Sequence, residues 1–141
     1  MITFVCGQLC SGKTLYSETL REIDRGIYIE VGNLVRRWKE TLDRKELQDS
    51  KYLADRIVDY IKADEKGFRS LNIVVSGVRQ KQILEAFPQA TVLWIECPKE
   101  IRKNRYLARQ REGDTQTFEE AEQGDIDLGI LEVKEYIFNK Q

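Results

Sequence analysis

The chain alternates between short runs in which nearly every residue is apolar or β-branched and longer stretches in which apolar residues recur at helical spacing. The runs fall at Ile2–Cys6, Ile27–Val31, Asn72–Ser76 and Thr91–Cys97, with a weaker one at Glu135–Phe138, and each reads as a strand. Between them, Thr14–Arg25 has helical periodicity and is closed by Gly26, a good helix stop. Asn33 is placed to cap a helix through Val35, Trp38 and Leu42. Within Ser50–Ala63, Leu53, Ile57 and Ile61 form a core-facing stripe that ends near Gly67. Gln80–Phe87 reads as a short helix stopped by Pro88, and Pro98 opens another over Lys99–Arg111. A further helix or turn begins over Phe118–Ala121, and a last short one covers Leu128–Val133.

Strands that alternate with helices imply βαβ units and a mostly parallel sheet with helices on both faces. ITFVC and NIVVS are apolar at nearly every position, as strands buried on both sides must be. There is no repeat, low-complexity tract or linker, so the expectation is one α/β domain over 1–141. The polar segment 109–123, which contains Gly113, reads as a lid.

Composition narrows the function classes. A chain of 141 residues with 33% charged and 41% apolar positions has the balance of one soluble globular domain. Net charge is -1, so no global basic field attracts nucleic acid or an anionic membrane, and an anionic ligand must be held by local clusters. No apolar run approaches the ~20 residues that cross a bilayer. MITFVCG lacks the basic start of a secretory signal, so cytoplasmic, reduced thiols are expected at Cys6, Cys10 and Cys97. With no histidine in the chain, Cys6 and Cys10 read as small packed residues rather than a metal pair, and any proton transfer falls to carboxylates, lysine or water.

The strongest local signal is GQLCSGKT, Gly7 to Thr14, which fits the phosphate-loop pattern at every fixed position. A strand runs into it and a helix leaves it, the context that the motif requires. Gly7 and Gly12 permit backbone angles that turn the amides of Gln8, Cys10 and Ser11 inward as an anion nest, and the helix start adds partial positive charge. Lys13 is placed for the β- and γ-phosphates of ATP and Thr14 for Mg²⁺.

Arginines supply the next signal. Arg36 and Arg37 follow the second strand, and Arg79 follows the third in VVSGVRQ, beyond the strand ends where ligands of open α/β sheets bind. In IRKNRYLARQREGD, Arg102, Arg105 and Arg109 share one helix face and Arg111 falls off it. Such a cluster suits charge developing on a transferring phosphoryl group; the alternative is a solvated basic face.

These segments, the loop, IEVGNLVRR, VVSGVRQ, VLWIECPKEIRKNRYLARQRE and EYIFNK, resemble the P-loop nucleoside monophosphate kinases. They are most similar to the small phage deoxynucleoside monophosphate kinases, with broader similarity to adenylate and dephospho-coenzyme A kinases. The resemblance implies a three-layer P-loop NTPase fold with a five-stranded parallel sheet, EYIFNK being its last strand. It implies transfer of the ATP γ-phosphate to a nucleoside monophosphate, with Mg²⁺. Arg36 and Arg79 would hold the acceptor phosphate, with Arg79 also catalytic. Arg105, Arg109 and Arg111 would serve the lid, Arg105 also meeting the nucleotide, and Gln80 or Gln82 would meet the base.

Two departures stand out. Ser76 occupies the place where such kinases often carry an acid that holds the metal's water shell; Glu30 and Asp55 are candidate substitutes. The chain is also shorter than most relatives, in the acceptor and lid segments, which leaves the acceptor's identity open. An NTP-binding regulator or weak NTPase remains a second reading. A kinase for another small molecule or a nucleic-acid 5′ end is a third, against which stand the net charge and the lack of aromatic residues along a basic groove. A homodimer through the second and third helices is compatible with the sequence.

Overall fold

The four apolar runs nearest the N-terminus all become strands: β1 (Ile2–Gly7), β2 (Ile27–Glu30), β3 (Ile73–Ser76) and β4 (Thr91–Ile95). A computed structural model describes residues 1–67, 71–109 and 115–140. Among these residues the strands form one parallel sheet in the order β2-β3-β1-β4. Glu30 pairs with Ser76 and Gly7 with Ile95, so the loops after β1, β2 and β3 leave from one edge. Because β1 sits between β3 and β4, the chain reverses direction beside it, and such switch points are where open sheets bind ligands.

Strand alternation sorts the core. Phe4, Ile29 and Val75 share one face and are buried, packed with Ile57 and Ile61, Ile83 and Leu84, and Val133 and Ile137 in one cluster. Each such side chain contributes about 1.5–3 kcal/mol when fully buried. The other face carries Val5 and Val74 beneath helix α1 (Lys13–Asp24). The three-layer α/β architecture expected from the sequence is present, with four strands among the described residues in place of five.

Other helices mostly fall where their spacing placed them: α4 (Ser50–Gly67), α5 (Lys81–Glu85) and α6 (Lys99–Arg109). Helix α2 (Val31–Trp38) starts directly on β2, so Asn33 lies inside it rather than capping it, and Leu42 lies in the turn beyond. A short α3 (Arg44–Gln48), not expected, is held by a capping box between Asp43 and Glu46. Helix α7 (Phe118–Leu128) begins at the expected residue, with a second capping box from Thr117 and Glu120, and ends at Gly129.

The main correction concerns the C-terminal run. EYIFNK is not a strand but part of helix α8 (Ile130–Lys140). Ile130, Val133 and Ile137 are its buried positions, spaced for one helical stripe that packs on β1 and β4. Lys140 fastens its end by donating to the carbonyls of Pro88 and Ala90 at 2.8 and 3.2 Å. Among the described residues no helix is long and apolar enough to cross a membrane.

Truncating Ile137 or Val133, both 0% exposed, to alanine is expected to cost about 2–5 kcal/mol in urea unfolding. Phe138→Ala, at a half-exposed position, should stay within about 1 kcal/mol.

Candidate functional site

β1 hands over to α1 through a tight loop. Gly7 cannot carry a side chain, because a Cβ there would lie 2.9 Å from the carbonyl oxygen of Ile95. The amide of Ser11 donates to the carbonyl of Gln8 at 3.1 Å, Cys10 sits at φ 60° and Gly12 at φ 98°. This left-handed geometry favours glycine at Gly12. Helix α1 then starts with no side-chain cap and no acid in its first turn. Its leading amides are therefore left to an anion, the situation in which helix N-termini bind phosphate. The buried Ser11 hydroxyl has no hydrogen-bond partner among the described residues.

Lys13 donates to the carbonyl of Gln8 at 3.3 Å. Burial lowers its pKa, Asp125 acts against that shift and Arg79 adds to it. A buried ammonium beside a nest of amides lacks the counter-charge that a phosphate brings. Cys6 lies behind the loop with its thiol pushed up to about 12 by burial, so it stays neutral.

The loop opens into a cavity of about 1120 Å³ bordered by Cys10–Thr14, Arg36, Ser76, Arg79, Arg105, Arg109 and Asp125. Arg105 donates to the carbonyl of Cys10 at 3.2 Å and to the Cys97 sulfur at 3.5 Å. The Arg109 guanidinium lies 5.1 Å from the Tyr106 ring centroid. Arg79 forms an ion pair with Asp125 at 3.1 Å. Desolvation raises the pKa of the Asp125 carboxyl, with Arg79 and Lys13 pulling it back down. Arg36 pairs with Glu30 at 3.3 Å and bonds to Asn33.

A smaller pocket of about 170 Å³ adjoins the cavity, and Gly32, Arg36, Lys39, Gly77 and Arg79 border both. Its far walls are Val35, Leu53, Ile57, Ile83 and Leu128. The combined site is therefore a cationic trough with an apolar recess at one end.

Beside the loop, the Tyr28 hydroxyl lies 2.5 Å from the Ser76 hydroxyl. Burial raises the Tyr28 pKa, which keeps it a neutral hydroxyl. Thr14, Ser76, Glu18 and Glu30 all border the cavity. The Thr14 and Ser76 hydroxyls are hard oxygen donors of the kind Mg²⁺ accepts beside its own waters, and among the described residues no cluster of three acidic or thiol side chains forms a metal site.

The sequence-selected residues divide accordingly. Cys10, Ser11, Gly12, Lys13, Thr14, Arg36, Ser76, Arg79, Arg105 and Arg109 come together around the cavity, while Gly7 and Gln8 shape the loop behind it. Gln82 does not join them: it donates to Asp55 at 2.7 Å, away from the pocket lining, and this pairing also removes Asp55 as a substitute acid. Gln80 borders the recess, with its amide donating to the carbonyl of Ser50 at 2.7 Å. Arg111 and residues 110–114 of the segment read as a lid lie outside the described residues. Phe118 to Gln123 of that segment form the first half of α7, with Phe118 buried.

Arg102 is neither a solvated face nor a phosphate ligand. It is 3% exposed and donates to the carbonyls of Cys97 and Leu9 at 3.1 and 3.3 Å. It also pairs with Glu122 at 2.6 Å and lies 5.6 Å from the Phe118 ring centroid. Asp125, Glu122, Tyr28 and Lys39 were not found from the sequence. The i, i+3 step from Glu122 to Asp125 on a helix facing a run of arginines was the available signal.

A family model described as an AAA domain matches residues 3–126, and the chain belongs to that family. No curated protein matches the sequence. Among solved structures, the chain is similar to a shikimate kinase from Acinetobacter baumannii in complex with shikimate (15% identity, 99% of this chain and 78% of that one, TM-score 0.63). It is also similar to a sugar kinase from Janibacter sp. (14%, 88% and 76%, TM-score 0.59) and to a gluconokinase from Sinorhizobium meliloti (16%, 90% and 73%, TM-score 0.55). The fold is thus that of the small-molecule P-loop kinases.

Removing Arg102 leaves the Glu122 carboxylate buried without its closest partner. Arg102→Met is expected to cost about 3–5 kcal/mol in thermal or urea unfolding, and Arg102→Met combined with Glu122→Leu to recover most of the loss.

Proposed function

We propose that the protein is an ATP-dependent kinase that transfers the γ-phosphate to a nucleoside or deoxynucleoside monophosphate. The carrying observation is the pairing of two unlike compartments. An uncapped, cation-rimmed phosphate loop meets an apolar recess at a mouth bordered by Arg36, Lys39 and Arg79. A monophosphate acceptor has matching halves, a dianion for the arginines and a flat base for the aliphatic walls. Among the described residues no acid borders the recess, which suits an acceptor phosphate that is already ionised and needs no general base.

In this reading the amides of Cys10 and Gly12 and the leading amides of α1 hold the donor's β-phosphate, and Lys13 bridges toward the γ-phosphate. Arg79 and Arg36 grip the acceptor phosphate and orient it for in-line attack. Arg105 and Arg109, from the other wall, meet charge on the transferring group. Thr14 would hold Mg²⁺, with Ser76, Tyr28 and Glu30 around its water shell; the ion supplies further charge neutralisation when bound. Preorganised cations in a cleft account for the transfer without histidine, because positioning and electrostatics carry most of this chemistry.

A second reading, a kinase for a small hydroxyl acceptor, has one observation in its favour. Glu30 ends β2 and borders the cavity, where a carboxylate could take a hydroxyl proton. Shikimate and gluconate therefore belong in the substrate panel.

The deciding experiment incubates the protein with ATP, Mg²⁺ and each common ribo- and deoxyribonucleoside monophosphate, shikimate or gluconate, and follows ADP and product by chromatography. Diphosphate formed in step with ADP from one or a few monophosphates is the expected result. Phosphorylation of a hydroxyl acid alone would replace this reading with the second, and ADP released without any acceptor would make the protein an NTPase. Lys13→Ala should lower transfer by about a hundredfold or more with an unchanged circular dichroism spectrum.

A further inference from the structure

Helix α7 presents Glu122, Asp125 and Leu128 at three-residue steps, so the three lie along one face. Each meets a different part of the site. Glu122 pairs with Arg102, which holds the phosphate loop from behind. Leu128 is a wall of the apolar recess. Asp125, between them, pairs with the Nε of Arg79 at 3.1 Å.

This pairing is unlike that of the other acceptor-side arginine. Arg36 meets Glu30 through a terminal nitrogen, with both residues on one stretch of chain. Arg79 meets its carboxylate through Nε, from a loop to a helix that follows much later in sequence. The Asp125 side chain is 12% exposed, whereas Arg79 is 44% exposed, so the anchor is fixed and the guanidinium reaches outward. The backbone supports the same contact, since a Cβ at Gly129 would lie 3.3 Å from the Arg79 carbonyl oxygen. A loop arginine is a long, freely rotating side chain, and a carboxylate at Nε fixes its plane while leaving the terminal nitrogens as donors. Those two donors are the fork that matches a phosphate.

We infer that Asp125 is a positioning residue that aims the Arg79 guanidinium at the acceptor phosphate and ties that aim to the seating of α7. This inference rests on the acceptor reading given above. Its competitor is a counter-ion role, in which Asp125 merely neutralises an empty cationic trough and opposes anion binding. The two differ in sign: losing an aiming group weakens acceptor binding, and losing a counter-ion strengthens it.

The test uses the full chain and the acceptor found by the substrate panel, with dissociation constants from calorimetry beside KM and kcat. Asp125→Ala should weaken acceptor binding by about tenfold. Asp125→Asn, which keeps the shape and an accepting oxygen, should fall between wild type and alanine, and it serves as the readout should the alanine variant melt early. In an Arg79→Ala background, Asp125→Ala should add nothing. Unchanged or tighter acceptor binding in Asp125→Ala, or losses that add independently to those of Arg79→Ala, would overturn the inference. The underlying reading fails separately: in that case Arg79→Ala itself leaves acceptor affinity intact.

Discussion

The buried guanidinium of Arg102 joins three segments: the phosphate loop at Leu9, the turn after β4 at Cys97, and helix α7 at Glu122. Taking an arginine and a glutamate out of water is costly, and such a pair is tolerable only where further hydrogen bonds satisfy it. Here two carbonyls and the Phe118 ring complete the shell. The result is a rigid corner behind the loop. Arg105, one turn further along α6, then reaches the front of the same loop through the carbonyl of Cys10. The phosphate loop is thus gripped from two sides by one helix, and α6 cannot move without carrying loop geometry with it.

Electrostatics explain how a chain with net charge -1 presents a locally cationic trough. The excess acid is spread over solvated helix faces, while Lys13, Arg36, Arg79, Arg105 and Arg109 converge on one trough. Lys13 is the most strained member: burial disfavours its charge, and Asp125 is the main group acting in its favour. The uncapped start of α1 is in a similar position, because its amides gain a partner only when an anion arrives.

Most of the sheet was legible because parallel, doubly covered strands leave near-continuous apolar runs, and Ile2–Cys6 and Asn72–Ser76 have that form. The loop was legible because its fixed residues answer to backbone angles and charge rather than to neighbours. EYIFNK misled for the opposite reason. Three consecutive bulky residues mimic a strand, yet the longer spacing of Ile130, Val133 and Ile137 is helical, and over eleven residues the longer pattern governs. The caps of α3 and α7 were also written plainly, as Asp43 with Glu46 and Thr117 with Glu120. Arg102, Arg105 and Arg109 do share a helix face, but depth along the axis separates them. Arg102 lies at the end covered by α7, and no periodicity reports what will cover a residue. Gln82 failed as a base contact for a similar reason, since its partner Asp55 sits on another helix.

Helix α7 follows from these constraints as the element that makes the phosphate loop and the apolar recess interdependent. Its first turn buries Phe118 against Leu9 and Tyr106, its middle holds Arg102 and Arg79, and its last turn closes the apolar recess with Leu128. A displacement large enough to open the recess would therefore also disturb the support of the phosphate loop. That coupling has a chemical use. A phosphate loop exposed to water without an acceptor invites hydrolysis, whereas one whose backing depends on the same helix as the acceptor wall is complete only when both compartments are formed. Ser76 fits this picture. With hydroxyls at Thr14, Ser76 and Tyr28 and the Glu30 carboxylate already paired with Arg36, a metal there would depend on charge that a bound nucleotide brings. The cations of the site are placed in advance by contacts to the elements that enclose it.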